Sequence, residues 1–265
     1  MTRFAGYGPP RTERGRSQAY GPPPWHLAGR ALALWFLLAD PAEARRHVPA
    51  MVGMADDPIV RARFWDLAHD SGLPERLAPG EPLPTRVAEA VVAFPVTYGE
   101  VTGDFTAHMY ADDPVYTAFG REAMGWPLKH GRIVVGGSGS ALEQGACVSA
   151  DLERDGHKLM SATLTLTDPL PENERPIGLP RWLTMKLVPR ADRGGDAVDQ
   201  LVQTGPERLE WGPIWRAQGE LHFADAPNDE LSFLAPREIV AAQYWSAVDL
   251  AVGYGRILRD EGVDS

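Results

Sequence analysis

ACVSADLERDGHKLMSATLTLT, residues 146–167, contains two strand-length runs, 146–154 and 157–167, that meet at Asp155-Gly156. An Asp-Gly pair suits the tight turn of a β-hairpin, so this stretch predicts two antiparallel neighbours. The same signature spreads outward. Upstream, strands are expected at 31–38, 58–66, 87–98 and 103–111, where β-branched and aromatic residues recur. Downstream, runs at 180–188, 197–203, 207–223 and 237–250 look extended, although the last also fits a helix.

Helix signals are few. Asp40-Pro41-Ala42-Glu43 offers an N-cap, a proline at the first helical position and a glutamate three residues after the cap, predicting a short helix to about Val48. Asp113-Pro114 opens a second helix that Gly125 and Pro127 close. Many strands joined by turns, with few helices between them, predict a mainly β (α+β) fold built on an antiparallel sheet or barrel.

The chain has 265 residues and a mass of 29.0 kDa, enough for one large domain. Residues 1–24 differ from the rest, with Tyr7-Gly8-Pro9-Pro10 and Tyr20-Gly21-Pro22-Pro23 set among arginines. This Pro/Gly-rich arm has little apolar surface to bury and reads either as a mobile tail or as a strap across a neighbouring subunit. The main domain is expected over 25–265.

A formal charge of −10 and a pI near 5.2 argue against a nucleic-acid partner, which needs clustered basic residues. No run approaches the ~20 apolar residues of a membrane span, and no apolar signal core opens the sequence. A cytoplasmic location with no membrane partner is the expectation. Cys147 is the sole cysteine, which excludes an internal disulfide, and it reads as a small buried strand residue. The seven histidines show no ligand spacing, so neither a metal nor another cofactor is expected.

The metalloprotease, phosphate-loop and nucleophile-elbow motifs are missing. Gly136-Gly137-Ser138-Gly139-Ser140 lacks dinucleotide-binding spacing and reads as a loop. Only Lys129, Lys158 and Lys186 could supply a lysine amine. Glu89 stands in the apolar run Ala88-Glu89-Ala90-Val91-Val92-Ala93, where a carboxylate is either exposed on one strand face or buried with a raised pKa suited to acid-base work.

Residues 89–130 carry a resemblance. Glu89, Gly103-Asp104-Phe105, Met109-Tyr110, Asp112 and Gly120-Arg121-Glu122 precede Gly125-Trp126-Pro127-Leu128-Lys129. This order and spacing are similar to the acetoacetate decarboxylase superfamily, whose pattern runs from a pocket glutamate to a Pro-Lys-Lys sequence. Upstream, 30–49 resembles the family's first strand and helix. Downstream, Leu183-Thr184-Met185-Lys186-Leu187-Val188-Pro189, Trp215 and Glu238-Ile239-Val240 continue the likeness to about residue 260.

The resemblance implies a cone-shaped antiparallel β-barrel with an internal pocket, assembled as a homo-oligomer. It also implies a small-molecule substrate, an oxo acid or β-keto compound that bears a carboxylate. In the family a buried lysine attacks the substrate ketone as a neutral amine. Only about one lysine in a few thousand is neutral at pH 7 with an ordinary pKa, so burial is the source of that reactivity.

Here the gapless match places Leu128 at the nucleophile and Lys129 at its neighbour. Lys129 is then a displaced nucleophile, a cation that stabilises an anion, or a charge near a helix end. The match makes Arg30 an anion clamp, whose plain alternative is a surface ion pair. Arg121 and Glu122 read as a structural ion pair. Leu128, Trp126, Tyr110 and Met109 are candidate substrate contacts, or simply core.

The implied function is a lyase-type or cyclising step in specialised metabolism, with Glu89, Lys129 and Arg30 catalytic and no Schiff-base lysine. An orthodox Schiff-base decarboxylase or aldolase-dehydratase using Lys129, and a non-catalytic ligand-binding relative, are the alternatives.

Overall fold

The computed structural model of the chain describes residues 5–14, 17–72, 83–137, 142–175, 179–192 and 194–261. Its strands are β1 (Trp25–Leu38), β2 (Val60–His69), β3 (Thr85–Tyr98), β4 (Val101–Ala111), β5 (Leu128–His130), β6 (Arg132–Gly137), β7 (Cys147–Arg154) and β8 (His157–Pro169). They continue with β9 (Trp182–Pro189), β10 (Asp196–Thr204), β11 (Pro206–Trp211), β12 (Ile214–Phe223), β13 (Asp225–Ala226), β14 (Asp229–Glu230), β15 (Pro236–Val252) and β16 (Arg256–Asp260). The 146–167 stretch forms the β7–β8 hairpin, with Asp155 at φ 52° and Gly156 at φ 79°, as a tight turn requires.

The main sheet runs in the order β16-β10-β9-β4-β3-β2-β1-β15-β12-β8-β7-β6, with β11 on β15 and β5 on β4. The neighbours are antiparallel except where β4 meets β5 and β9. The mainly β class is as expected, but the sheet is not a closed barrel, because its end strands β6 and β16 do not pair with each other. Instead the β6 end folds back, and Arg30 on β1 donates from Nη2 to the Val135 carbonyl of β6 at 3.3 Å.

The 237–250 run is strand: β15 pairs with β1 along almost its whole length. The 207–223 run breaks at Gly212-Pro213 into two strands on different stretches of β15. The first predicted helix is a 3-10 helix over Pro41–His47, capped by Asp40. The second, α1 (Pro114–Phe119), continues as a π-turn over Gly120–Met124 and stops at Gly125, whose φ of 74° is left-handed. Gly136 and Gly137 end β6, and the remainder of that expected loop lies outside the described residues.

Two cores result. One, around Leu34, Phe36, Phe64, Phe94 and Leu164, fills the space between β1–β4 and the folded-back β7, β8 and β12. The other, around Trp25, Trp65, Val91, Phe119, Trp126 and Leu128, occupies the opposite face of β1–β4 under α1. Within residues 17–24, Tyr20 joins this second core. Tyr20 is buried against Phe119 and donates to Glu122 at 2.6 Å. Two expectations fail locally. Cys147 is exposed at the start of β7. Arg121 and Glu122 do not pair with each other, because Arg121 donates to the Leu128 carbonyl at 2.9 Å while Glu122 accepts from Tyr20.

Candidate active site

The second core contains a cavity in two parts. The inner chamber, about 40 Å³, is bounded by Glu89, Met109, Tyr116 and Trp126 among others. The outer chamber, about 630 Å³, shares Arg63, Trp65, Trp182 and Leu250 with it. Strands β1, β2, β3, β4, β9, β11 and β15 all contribute lining residues, so the site occupies the hollow of the sheet.

Glu89 lies mid-strand on β3, opposite Trp65 on β2 and Ala111 on β4. Residues 87–94 are buried on both faces, so no exposed face exists for it. The Tyr116 hydroxyl donates to its Oε2 at 2.7 Å, and Arg63 attracts its charge. Burial outweighs both and raises its pKa to about 7. Tyr116 is placed by the cap of α1, where its amide donates to the Asp113 carboxylate at 2.6 Å. Its own pKa is pushed well up by burial and by Glu89, so it remains a donor.

Arg63 is mostly buried, and its pKa falls to about 10 through desolvation and the neighbouring charge of Arg61. It remains a cation near neutral pH. Asp104 accepts from Arg63 at 3.3 Å and pairs with Arg61, which fixes both guanidinium groups at the junction of the chambers. The Asp104 backbone N–H donates a hydrogen bond to the Arg181 carbonyl at 2.9 Å, where β4 approaches the start of β9. A Cβ on Gly103 would stand 2.6 Å from that same oxygen, which is why glycine precedes the aspartate.

The sequence-expected residues divide between the faces. Glu89, Met109 and Trp126 line the inner chamber. Leu128 is buried in the same cluster, paired with Met109, but does not itself form the wall. Tyr110 and Lys129 do not reach the chamber. β4 and β5 run side by side, and alternation turns both residues to the other face. There the Tyr110 hydroxyl and Lys129 Nζ contact the buried Asp229 at 2.6 and 2.7 Å, and Arg154 joins them.

Arg30 is likewise apart. It alternates with Leu27, Ala31 and Ala33 of the second core, so its side chain emerges on the face of Leu32 and Leu34. Its Nε pairs with Asp66 at 2.9 Å in a separate cleft. The other two lysines are also elsewhere. Lys158 pairs with Asp151, and Lys186 donates to the Ala123 carbonyl at 3.3 Å.

Sequence reasoning missed Arg61, Arg63, Tyr116 and the tryptophans of the outer chamber, and placed Asp104 in the family pattern without a role. One signal was present: Asp113-Pro114 fixes the helix start, and with it the position of Tyr116 two residues later.

A largely apolar hollow with a few converging polar groups takes small molecules. The chain matches the acetoacetate decarboxylase (ADC) family over residues 8–262, nearly its whole length. It belongs to that family of enzymes. Acetoacetate decarboxylase 1 of Bradyrhizobium diazoefficiens is 25% identical over 252 residues, covering 91% of this chain and 90% of the relative. The fold is similar to an acetoacetate decarboxylase-like enzyme from Sphingomonas wittichii RW1, with a TM-score of 0.84 at 22% identity, covering 96% of this chain and 100% of that one. It is also similar to the enduracididine biosynthesis enzyme MppR complexed with the condensation product of pyruvate and imidazole 4-carboxaldehyde, with a TM-score of 0.79 at 21% identity, covering 98% and 99%. No helix among the described residues is long and apolar enough to cross a membrane.

Proposed function

We propose that this protein is a lyase-type or cyclising enzyme that acts on a small oxo acid or β-keto compound without a lysine imine. One observation carries the reading: a buried, protonatable glutamate faces the inner chamber, while the three lysines of the chain make their contacts elsewhere. A carboxyl group with a pKa near 7 exchanges protons readily at neutral pH, which is what a general acid-base needs.

In the proposed chemistry Glu89, as carboxylate, takes a proton from the carbon beside the substrate carbonyl. The electron pair moves to the carbonyl oxygen as an enolate. Tyr116 supports the Glu89 carboxylate, and Arg63 holds the substrate anion. Arg63 takes the clamping role that the sequence resemblance gave to Arg30, since it stands beside Glu89 and Arg30 does not. The Glu89 proton then returns to the enolate carbon or to a departing group. A Lys129 Schiff base requires its amine to leave Asp229 and cross the sheet, so that alternative has no geometric support.

Support for the substrate class comes from the family and from MppR, whose complex contains a pyruvate condensation product. The test is hydrogen–deuterium exchange at the methyl group of pyruvate and at the methylene of acetoacetate in heavy water, followed by NMR. The protein should accelerate exchange on at least one of them, and Glu89→Gln should lose at least ~100-fold of that acceleration. Equal exchange by both proteins, or none above buffer, overturns the assignment.

A further inference from the structure

The two chambers differ in size and chemistry in a way that restricts the substrate. At about 40 Å³ the inner chamber is the smaller of the two by far and suits a small head group such as a carbonyl. The outer chamber, about 630 Å³, lies within the ~300–1,000 Å³ of sites that enclose much larger ligands. A three- or four-carbon acid leaves most of it filled with water.

Its walls are unusual. Five of the eight tryptophans in the chain, Trp35, Trp65, Trp182, Trp211 and Trp245, line it. Trp245 is the hub, with ring centroids 4.7 Å from Trp211, 5.3 Å from Trp65 and 6.4 Å from Trp35. These are edge-to-face and tilted contacts, so the indoles interlock at angles and do not stack flat on one another. Trp35, Trp182 and Trp211 remain partly exposed, so the cluster is a lined surface and not a sealed core.

Charge points the same way. Among the described residues, Arg61, Arg63 and Arg181 line the outer chamber with Asp104 as its one carboxylate, a net charge of +2 (3 − 1). The Arg63 guanidinium carbon lies 5.9 Å from the Trp245 ring centroid, which joins the cationic and aromatic parts into one surface. A chain with a formal charge of −10 overall has concentrated positive charge in this hollow.

We infer that the outer chamber binds the body of the substrate, and that this body is a flat aromatic ring attached to the anionic oxo-acid head. The inference deepens the proposed function and rests on it for the place of reaction, since Glu89 sets where the head must lie. The ring packs among Trp35, Trp211 and Trp245, the carboxylate meets Arg61 and Arg63, and the carbonyl enters toward Glu89. An aliphatic body of equal volume gains burial but not ring–ring contact.

Titration calorimetry with phenylpyruvate, pyruvate and phenylacetone separates the contributions without requiring turnover. Phenylpyruvate should bind at least ten-fold more tightly than pyruvate, and also at least ten-fold more tightly than phenylacetone, which lacks the carboxylate. Trp211→Leu keeps an apolar side chain but removes the ring, and should reduce the phenylpyruvate-to-pyruvate ratio to about two-fold. Arg61→Gln should weaken phenylpyruvate and leave phenylacetone unaffected. Circular dichroism confirms that each variant is folded.

Equal binding of phenylpyruvate and pyruvate overturns the inference, as does a preference that survives in Trp211→Leu. The proposed reaction fails separately: tight, ring-dependent binding with no Glu89-dependent exchange on any oxo acid supports the chamber and removes the enzyme reading. Glu89-dependent exchange on pyruvate with no ring preference does the reverse.

Discussion

Because burial holds the Glu89 pKa near 7, the native protein keeps a proton that the unfolded chain releases near 4.5. Stability therefore falls as pH rises between these values, by up to about 3 kcal/mol, and levels off above the upper one. Glu89→Gln should remove this slope. Urea unfolding at pH 5 and pH 8 measures it, and equal pH slopes in the two proteins contradict the burial argument. The same group should give activity a limb centred near pH 7 that the variant lacks. Glu89 could be found in the sequence because a lone carboxylate in an apolar strand is costly. Arg63 could not, because Arg61-Ala62-Arg63 reads like an exposed strand face, and only the folded sheet reveals Asp104 and Glu89 beside it. The tryptophans are spread from 35 to 245, and no local pattern gathers them.

At the scale of elements, the short strand β5 decides which side chain faces the chamber. Its parallel pairing sets Leu128 beside Met109 and Lys129 beside Tyr110, and the Arg121 bond to the Leu128 carbonyl pins that register. Lys129 accordingly belongs to the Asp229 network. Lys129→Met should cost about 1–3 kcal/mol of stability by removing one of the donors to a buried carboxylate. It should change kcat by less than about three-fold, since Nζ does not enter the chamber; a loss of ~100-fold or more contradicts the assignment. Gly125 positions Trp126 at the chamber wall. Gly125→Ala imposes a left-handed backbone on a Cβ only 2.5 Å from the Lys186 Cβ, and should cost about 1–3 kcal/mol while raising KM. Thermal unfolding and initial rates check both effects. Strand positions were largely legible from β-branched runs and turn dipeptides. The π-turn was not, because only the return of Trp126 to β5 makes the extra residue necessary.

Across the whole molecule, the sheet forms the site with one face and encloses its main core with the other. The family resemblance grouped Arg30 with Glu89, and sequence periodicity could not separate them, because both faces of β1 and β3 are largely buried although the sheet lies between the two side chains. Arg30 instead ties β1 to Asp66 of β2 and to the folded-back β6. Arg30→Met should lower stability by about 1–3 kcal/mol with kcat retained, read by denaturant unfolding alongside exchange rates; a large loss of kcat in a stable variant restores its role as an anion clamp. The central claim is that this member of an imine-forming family acts without an imine. It is tested most directly by borohydride reduction in the presence of pyruvate, acetoacetate and phenylpyruvate, read by intact mass and peptide mapping, with an acetoacetate decarboxylase that carries the adjacent lysine pair as control. The account predicts adducts on the control and none on this protein; a stoichiometric adduct on Lys129, or on either other lysine, contradicts it.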